Sequence, residues 1–230
     1  MKLILYFCSG ILSKKWIALT IDKERINKLK MKNKKITRKI TQGMYVLTTE
    51  NGGCIVDAVS QISAGDNPLI SVAVMKKNYT NILLKENDRF ALSVLGKEVN
   101  PSIIEKFGMH SMKDYDKFSK VSTLEIEKIK VIEESLGYMI CEIIDKIEND
   151  THTLFIGRLI EADVFKEEEP MSYAYYQENK NDLIKVTTEN GKTAWICTVC
   201  GYVYYGKDLQ EDFKCPICGV DVSMFVLKKE

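Results

Sequence analysis

Two cysteine pairs near the C-terminus constrain this chain more than any other feature. Cys197 and Cys200 stand in CTVCG, and Cys215 and Cys218 stand in CPICG. Two CxxC pairs joined by a short polar loop converge on one metal ion in a tetrahedral four-sulfur site. Gly201 and Gly219 follow the pairs and permit the left-handed turn that aims backbone N–H groups at the sulfurs. Tetrahedral thiolate suits both zinc and iron, so geometry alone leaves the metal open. Residues 193–230 are too few to bury a self-sufficient apolar core, and a metal staple is the usual remedy.

The rest of the chain is long enough for one sizeable domain. Its composition is that of an ordinary globular protein, 45% hydrophobic and 28% charged. A net charge of +1 argues against non-specific nucleic-acid binding. Cys8, Cys54 and Cys141 are scattered without pattern. Read as reduced thiols, they imply a reducing compartment, the cytoplasm. The apolar run LILYFCSGIL at 3–12 is too short to span a bilayer and lacks a small-residue cleavage site. Met31 opens a second plausible start, so residues 1–30 read as a disordered or mis-assigned extension, with a short interfacial anchor as the alternative, no function assigned and no stable membrane insertion expected.

From Ile40 to Val164 the pattern is mainly β. Apolar or alternating runs fall at 44–49, 54–62, 69–75, 90–95, 137–147 and 153–164, and their β-branched content favours strands. Closely spaced strands with few long helices point to an antiparallel barrel. Asn100-Pro101 is a helix-start signal, with Asn as cap and Pro in the first turn. A second start lies in MKKNYTNILLKEN, residues 75–87. There Asn78 caps, Thr80 sits in the first turn, and Ile82, Leu83 and Tyr79 are expected on one apolar face. With Lys76 and Lys77 alongside, free backbone N–H groups at that helix start make an anion site able to take a cofactor phosphate. The simpler alternative is a capped surface helix. Gly191-Lys192-Thr193 lacks the upstream glycine of a phosphate-binding loop and counts as linker.

Two resemblances sharpen this reading. The segment TAWICTVCGYVYYGKDLQEDFKCPICGVDVSMFV is similar to a short-loop rubredoxin, carried by Trp195, Ile196, Tyr202, Tyr204, Pro216 and Phe225 around the four cysteines. That resemblance implies one iron rather than zinc. Residues 41–165 resemble the flavin reductase-like family. The stretches that carry it are TQGMYVLTTENG, DAVSQIS, NPLISVAVMKKNYTNILLKEN, FALSVLG, FGMHSMKDYDKF and HTLFIGRLIEADV, in that order, with PMSYAYYQENK closing the domain. The family implies a split β-barrel that binds FMN, usually as a homodimer. By that resemblance Asp57, Ala58, Val59 and Ser60 line the flavin ring and reach its phosphate, and Asn78, Tyr79 and Thr80 hold the phosphate end. His152 matches a histidine that approaches the nicotinamide of NAD(P)H, while His110 is expected to face solvent. The family more often has Asn at Asp57 and Gly at Met112.

The expected organisation is therefore an extension at 1–30, a flavin reductase-like domain at 31–180, a flexible linker at 181–192 and a rubredoxin-like domain at 193–230. Together the resemblances imply the architecture of high-molecular-weight rubredoxins. In these an NAD(P)H-reduced flavoprotein passes electrons through iron to a protein acceptor, typically a flavo-diiron oxygen or nitric-oxide reductase. Two alternatives stay open: a diffusible flavin reductase that releases reduced FMN, and a zinc-ribbon and flavin protein that senses redox state without catalysis.

Overall fold

Strand β2 (Gly52–Val56) and strand β3 (Val59–Gln61) are separated by Asp57-Ala58 alone, yet they form opposite edges of one seven-stranded sheet. Laid flat, seven strands would hold those edges roughly 29 Å apart. The stretch from Val56 to Val59 can span only about 11 Å. The sheet must therefore curl until its edges nearly meet, and Asp57-Ala58 crosses the split. The computed structural model describes residues 36, 39–113, 115–183, 194–199, 202–206, 208–216 and 219–227. The chain divides into two units, Met1–Ile40 and Thr41–Glu230, and every element named here belongs to the second.

The remaining barrel strands are β1 (Tyr45–Thr49), β4 (Leu69–Met75), β5 (Arg89–Val94), β8 (Gly137–Glu148) and β9 (His152–Val164), in the order β2-β1-β5-β8-β9-β4-β3. All neighbouring pairs are antiparallel. The predicted runs match these strands, except that 54–62 breaks in two at Asp57. Leu47, Val72, Phe90, Leu92 and Phe155 are fully buried in the barrel interior with Cys54 and Cys141. Each large side chain so buried contributes about 1.5–3 kcal/mol. Gly157 is required there, because a Cβ would lie 2.6 Å from Cys141 Cβ and 2.7 Å from the Phe90 ring.

Helix α1 (Tyr79–Glu86) follows β4, and α2 (Pro101–Met109) starts at Asn100, whose Oδ1 accepts from Ser102 N at 3.0 Å, as the Asn-Pro signal predicts. The face of α1 differs from expectation: Thr80, Asn81, Leu83 and Leu84 are buried, whereas Ile82 is 45% exposed. The hairpin β6 (Thr123–Ile126) and β7 (Ile129–Ile132) was not legible in the sequence. Its two-residue loop is Glu127-Lys128, both at positive φ, where Asn-Gly is the usual signal.

A second buried cluster covers the outside of β1. It joins Met44, Val46, Leu95, Ile103, Ile104 and Phe107 to Tyr176 of helix α3 (Tyr173–Leu183). The same cluster takes in Ala194, Ile196 and Val203 from the C-terminal module. That module is a three-stranded sheet, β11-β10-β12, built from β10 (Ala194–Cys197), β11 (Val203–Tyr205) and β12 (Phe225–Leu227). It is thus packed on the barrel body. Helix α3 continues through Leu183, beyond the expected linker start, and residues 184–192 of that linker lie outside the described residues. No helix among the described residues is long and apolar enough to cross a membrane.

Candidate functional site

Three of the predicted segments converge where the barrel splits. Asp57-Ala58 crosses the seam, with Val59 N bonded to Asp57 O at 2.9 Å and Ala73 N bonded to Ala58 O at 3.0 Å. Strand β4 then runs to Met75, which pairs with His152 at the start of β9. Lys76 N donates to Thr151 O at 2.9 Å, and the chain turns directly into α1. Asp57, Asn78–Thr80 and His152 therefore surround one end of β4, and Asp57 is close enough for its charge to be coupled to His152. Burial raises the Asp57 carboxyl above its ordinary value, with its own and the Ala58 N–H and then His152 pulling the other way.

The start of α1 carries no side-chain cap. Asn78 is extended and its side chain makes no capping bond to the helix. Thr80 is 2% exposed, and its side chain lies within hydrogen-bonding reach of the Cys54 thiol. Lys76, expected at the anion site, is instead engaged by Glu148 at 2.8 Å, and Lys85 reaches the same carboxylate at 2.6 Å. Those two ammonium groups hold the Glu148 carboxyl down at about 2. Lys113 supplies positive charge from another side, with Nζ 5.5 Å from the centre of the Tyr79 ring.

Other expected residues behave differently. Ser60 is exposed on the edge strand β3, paired with Ser71, and its hydroxyl donates only to Gln61 O at 3.4 Å. His152 is half-buried, with Nδ1 2.8 Å from Thr151 Oγ1 and its N–H bonded to Asn149 Oδ1 at 2.8 Å. His110 does not face solvent freely: it stacks on Tyr115 at 4.1 Å, and burial lowers its pKa. The sequence reading missed two polar anchors. Asn81, 2% exposed, donates to Val74 O at 2.9 Å and accepts from Thr153 Oγ1 at 3.4 Å, fixing α1 to β4 and β9. Lys117, also 2% exposed, donates to Gly53 O at 2.9 Å and Phe107 O at 3.1 Å. Nothing in DYDKF marks its lysine as buried, since the carbonyls that receive it come from β2 and α2.

The C-terminal module presents the second site. Cys197 and Cys215 are 0% and 1% exposed and share one cluster with Phe225, while Cys200 and Cys218 lie outside the described residues. The two halves repeat one backbone pattern: Cys197 N bonds to Tyr202 O at 2.8 Å, and Cys215 N bonds to Val220 O at 2.8 Å. Gly219 adopts φ +74° and donates to Cys215 O at 2.8 Å, the left-handed turn expected from its position. Phe213 meets Phe225 edge-on at 5.4 Å, and Tyr202 meets Phe225 at 6.5 Å. Two buried thiols on matching turns, walled by aromatic rings, fit a thiolate-bound metal.

Comparison with known proteins agrees with both halves. The family described as "Flavin reductase like domain" matches residues 37–183, and "Rubrerythrin, rubredoxin-like domain" matches residues 195–226. The high molecular weight rubredoxin of Moorella thermoacetica is 32% identical over 219 residues, covering 81% of this chain and 95% of that protein. The ferric-chelate reductase (NAD(P)H) of Archaeoglobus fulgidus is 31% identical over 168 residues, covering 70% and 93%. Among solved structures, the NADH:FAD oxidoreductase SgcE6 of Streptomyces globisporus superposes with a TM-score of 0.55 at 23% identity, covering 60% of this chain and 84% of that one. That likeness confirms the barrel fold. The chain belongs to the flavin reductase-like family and carries a rubredoxin-like domain at its C-terminal end.

Proposed function

We propose that this NAD(P)H-dependent oxidoreductase accepts a hydride on FMN at the barrel split. Single electrons then pass through an iron held by Cys197, Cys200, Cys215 and Cys218 to a protein acceptor of the flavo-diiron oxygen or nitric-oxide reductase type. One observation carries the reading: the metal module packs its Ala194, Ile196 and Val203 into the same buried cluster as the barrel strand β1. When bound, flavin takes up an electron pair and a single tetrathiolate iron exchanges one electron at a time. The family matches support flavin and NAD(P)H in general terms, and the cysteine module supports iron.

Within this reading the uncapped start of α1 receives the phosphate through the N–H groups of Tyr79 and Thr80, with the Asn78 and Thr80 side chains adding polar contacts. Asp57, Ala58, Val59 and Ser60 line the ring. Burial disfavours the ionised form of Asp57 beside the ring, where a carboxylate would oppose added negative charge. His152 orients the nicotinamide, its ring fixed by Thr151. Exposed apolar side chains at the ends of the long strands β8 and β9 and just after β3 support a homodimer: Ile147 is 51% exposed, Val164 65% and Ile62 50%. The thiolate site and the buried thiols Cys54 and Cys141 support a reducing cytoplasm.

The test is anaerobic stopped-flow mixing of the holoprotein with NADH, following flavin and iron absorbance, with a flavo-diiron acceptor added. Wild type should bleach flavin first and iron second. A Cys197→Ser, Cys215→Ser protein should retain flavin reduction and lose transfer to the acceptor. Undiminished acceptor reduction by that variant would shift the reading to a diffusible flavin reductase. Zinc without iron in anaerobically produced protein would remove the electron-transfer role of the module.

A further inference from the structure

A charged side chain of the last helix of the flavin-binding body reaches the metal module. Lys180 Nζ donates to Thr198 O at 2.5 Å, and also lies 3.4 Å from Gln177 Oε1. Thr198 is the residue that follows Cys197 within the first cysteine turn. Its N–H and its hydroxyl both donate to Met224 O, at 2.8 and 2.9 Å, so the turn is fixed by β12's approach on one side and by the ammonium on the other. Tyr176, one turn earlier on α3, is 4% exposed in the cluster that also buries Ala194 and Ile196. The ammonium is thus held beside the cysteine turn by its bond to Thr198 O, on a helix that Tyr176 anchors to the shared cluster.

We propose that Lys180 sets the reduction potential of the metal module and couples its docking to its redox state. The proposal rests on reading the four-cysteine site as iron. Four thiolates around one iron leave the site anionic, and reduction from ferric to ferrous adds one electron, with no proton taken up and no bond made or broken. A positive charge held one residue from Cys197 stabilises the more negative form, and because the contact is solvent-exposed the effect is screened by added salt. Linkage makes the effect reciprocal: if docking against Lys180 favours the reduced iron, reduced iron favours docking by the same free energy. Lys180 is a positioning residue here, acting through charge on a site it does not ligate.

Spectroelectrochemical titration of the full iron-loaded chain tests this with two variants. Lys180→Gln keeps a donor for Thr198 O and removes the charge, and Lys180→Arg keeps the charge. The Gln variant should lose about tenfold in the reduction equilibrium constant, which for a one-electron couple is ~59 mV toward more negative potential. The Arg variant should stay close to wild type. In flavin-free protein, amides of α2 and α3 should exchange more slowly when iron is reduced, and the Gln variant should lose that difference. A wild-type protein with no one-electron metal couple would overturn the iron reading, and this inference with it. A normal couple that Lys180→Gln leaves unmoved would overturn this inference alone, as would equal amide exchange in the two redox states of wild type.

Discussion

The barrel and the C-terminal module solve the same problem, burying enough to stay folded, by opposite means. The barrel closes around side chains such as Leu47, Phe90, Leu92 and Phe155, all at 0% exposure, contributed by strands far apart in sequence. The module has strands of three or four residues, and among its described residues its own cluster buries Cys197, Cys215 and Phe225. Its other buried side chains, Ala194, Ile196 and Val203, are turned onto the barrel instead. A large domain can rely on apolar area, whereas a small one must borrow from a metal and a neighbour. Three buried side-chain polar atoms lack a partner among the described residues: Thr49 Oγ1 in the barrel, Gln177 Nε2 on α3, and Nε1 of Trp195, whose side chain packs on the module's own cluster.

Removing the metal is the strongest way to break this comparison. Structural metal binding is worth on the order of 10 kcal/mol of folding free energy. Cys215→Ser should therefore unfold β10–β12 while leaving barrel amides protected, as hydrogen exchange followed by mass spectrometry would report. If the module stays protected without metal, docking alone sustains it and the contrast fails. The converse change is Phe90→Ala, which should cost the barrel about 3–5 kcal/mol. Thermal unfolding should then show the barrel transition falling while iron absorbance at low temperature is unchanged.

A smaller effect separates the barrel's core from its functional rim. Thr80→Val keeps the shape of a buried side chain and removes the hydroxyl beside Cys54. If Thr80 holds the phosphate of FMN as proposed, removing its hydroxyl should weaken binding by about 1.5–3 kcal/mol in a fluorescence titration. Unaltered FMN affinity would move the phosphate away from α1. The smallest effect concerns the rim's charges. Glu148 has its pKa lowered from an ordinary 4.5 to about 2 by hydrogen bonds from Lys76 and Lys85. A carboxyl depressed in the folded state stabilises above its unfolded pKa, and that contribution disappears as pH falls through the folded value. Glu148→Gln should thus slightly lower the melting temperature at neutral pH, with the difference fading from about pH 4.5 toward pH 2. Because both partners are near the surface, added salt should shrink it as well.

Legibility followed locality. Asn100-Pro101 names the start of α2 because a cap needs only its own neighbours, and Gly219 announces a left-handed turn for the same reason. The hairpin β6–β7 went unread because Glu127-Lys128 carries no glycine or asparagine at its positive-φ positions, so the tertiary packing of Ile129 and Val131 imposes the turn. The face of α1 was misjudged at Ile82 because periodicity gives an apolar stripe and not the direction of the core. Residues 57–60 drew attention by resemblance, but spacing in the chain could not say that Ser60 would turn to solvent while Asp57 became half-buried.

The sequence by itself determined the two chemistries: four cysteines at metal spacing, and a run of strands broken by a helix start fit for an anion. Both depend on contacts between near neighbours, where backbone geometry and residue type decide the outcome. Only the tertiary structure decided that Asp57-Ala58 spans the split of a curled sheet and that Lys117 is a buried anchor. It also decided that the metal module is packed on the barrel through Ala194, Ile196, Val203 and the bond from Lys180. Those outcomes depend on which distant surfaces can exclude water together, and no local pattern of residues encodes that choice.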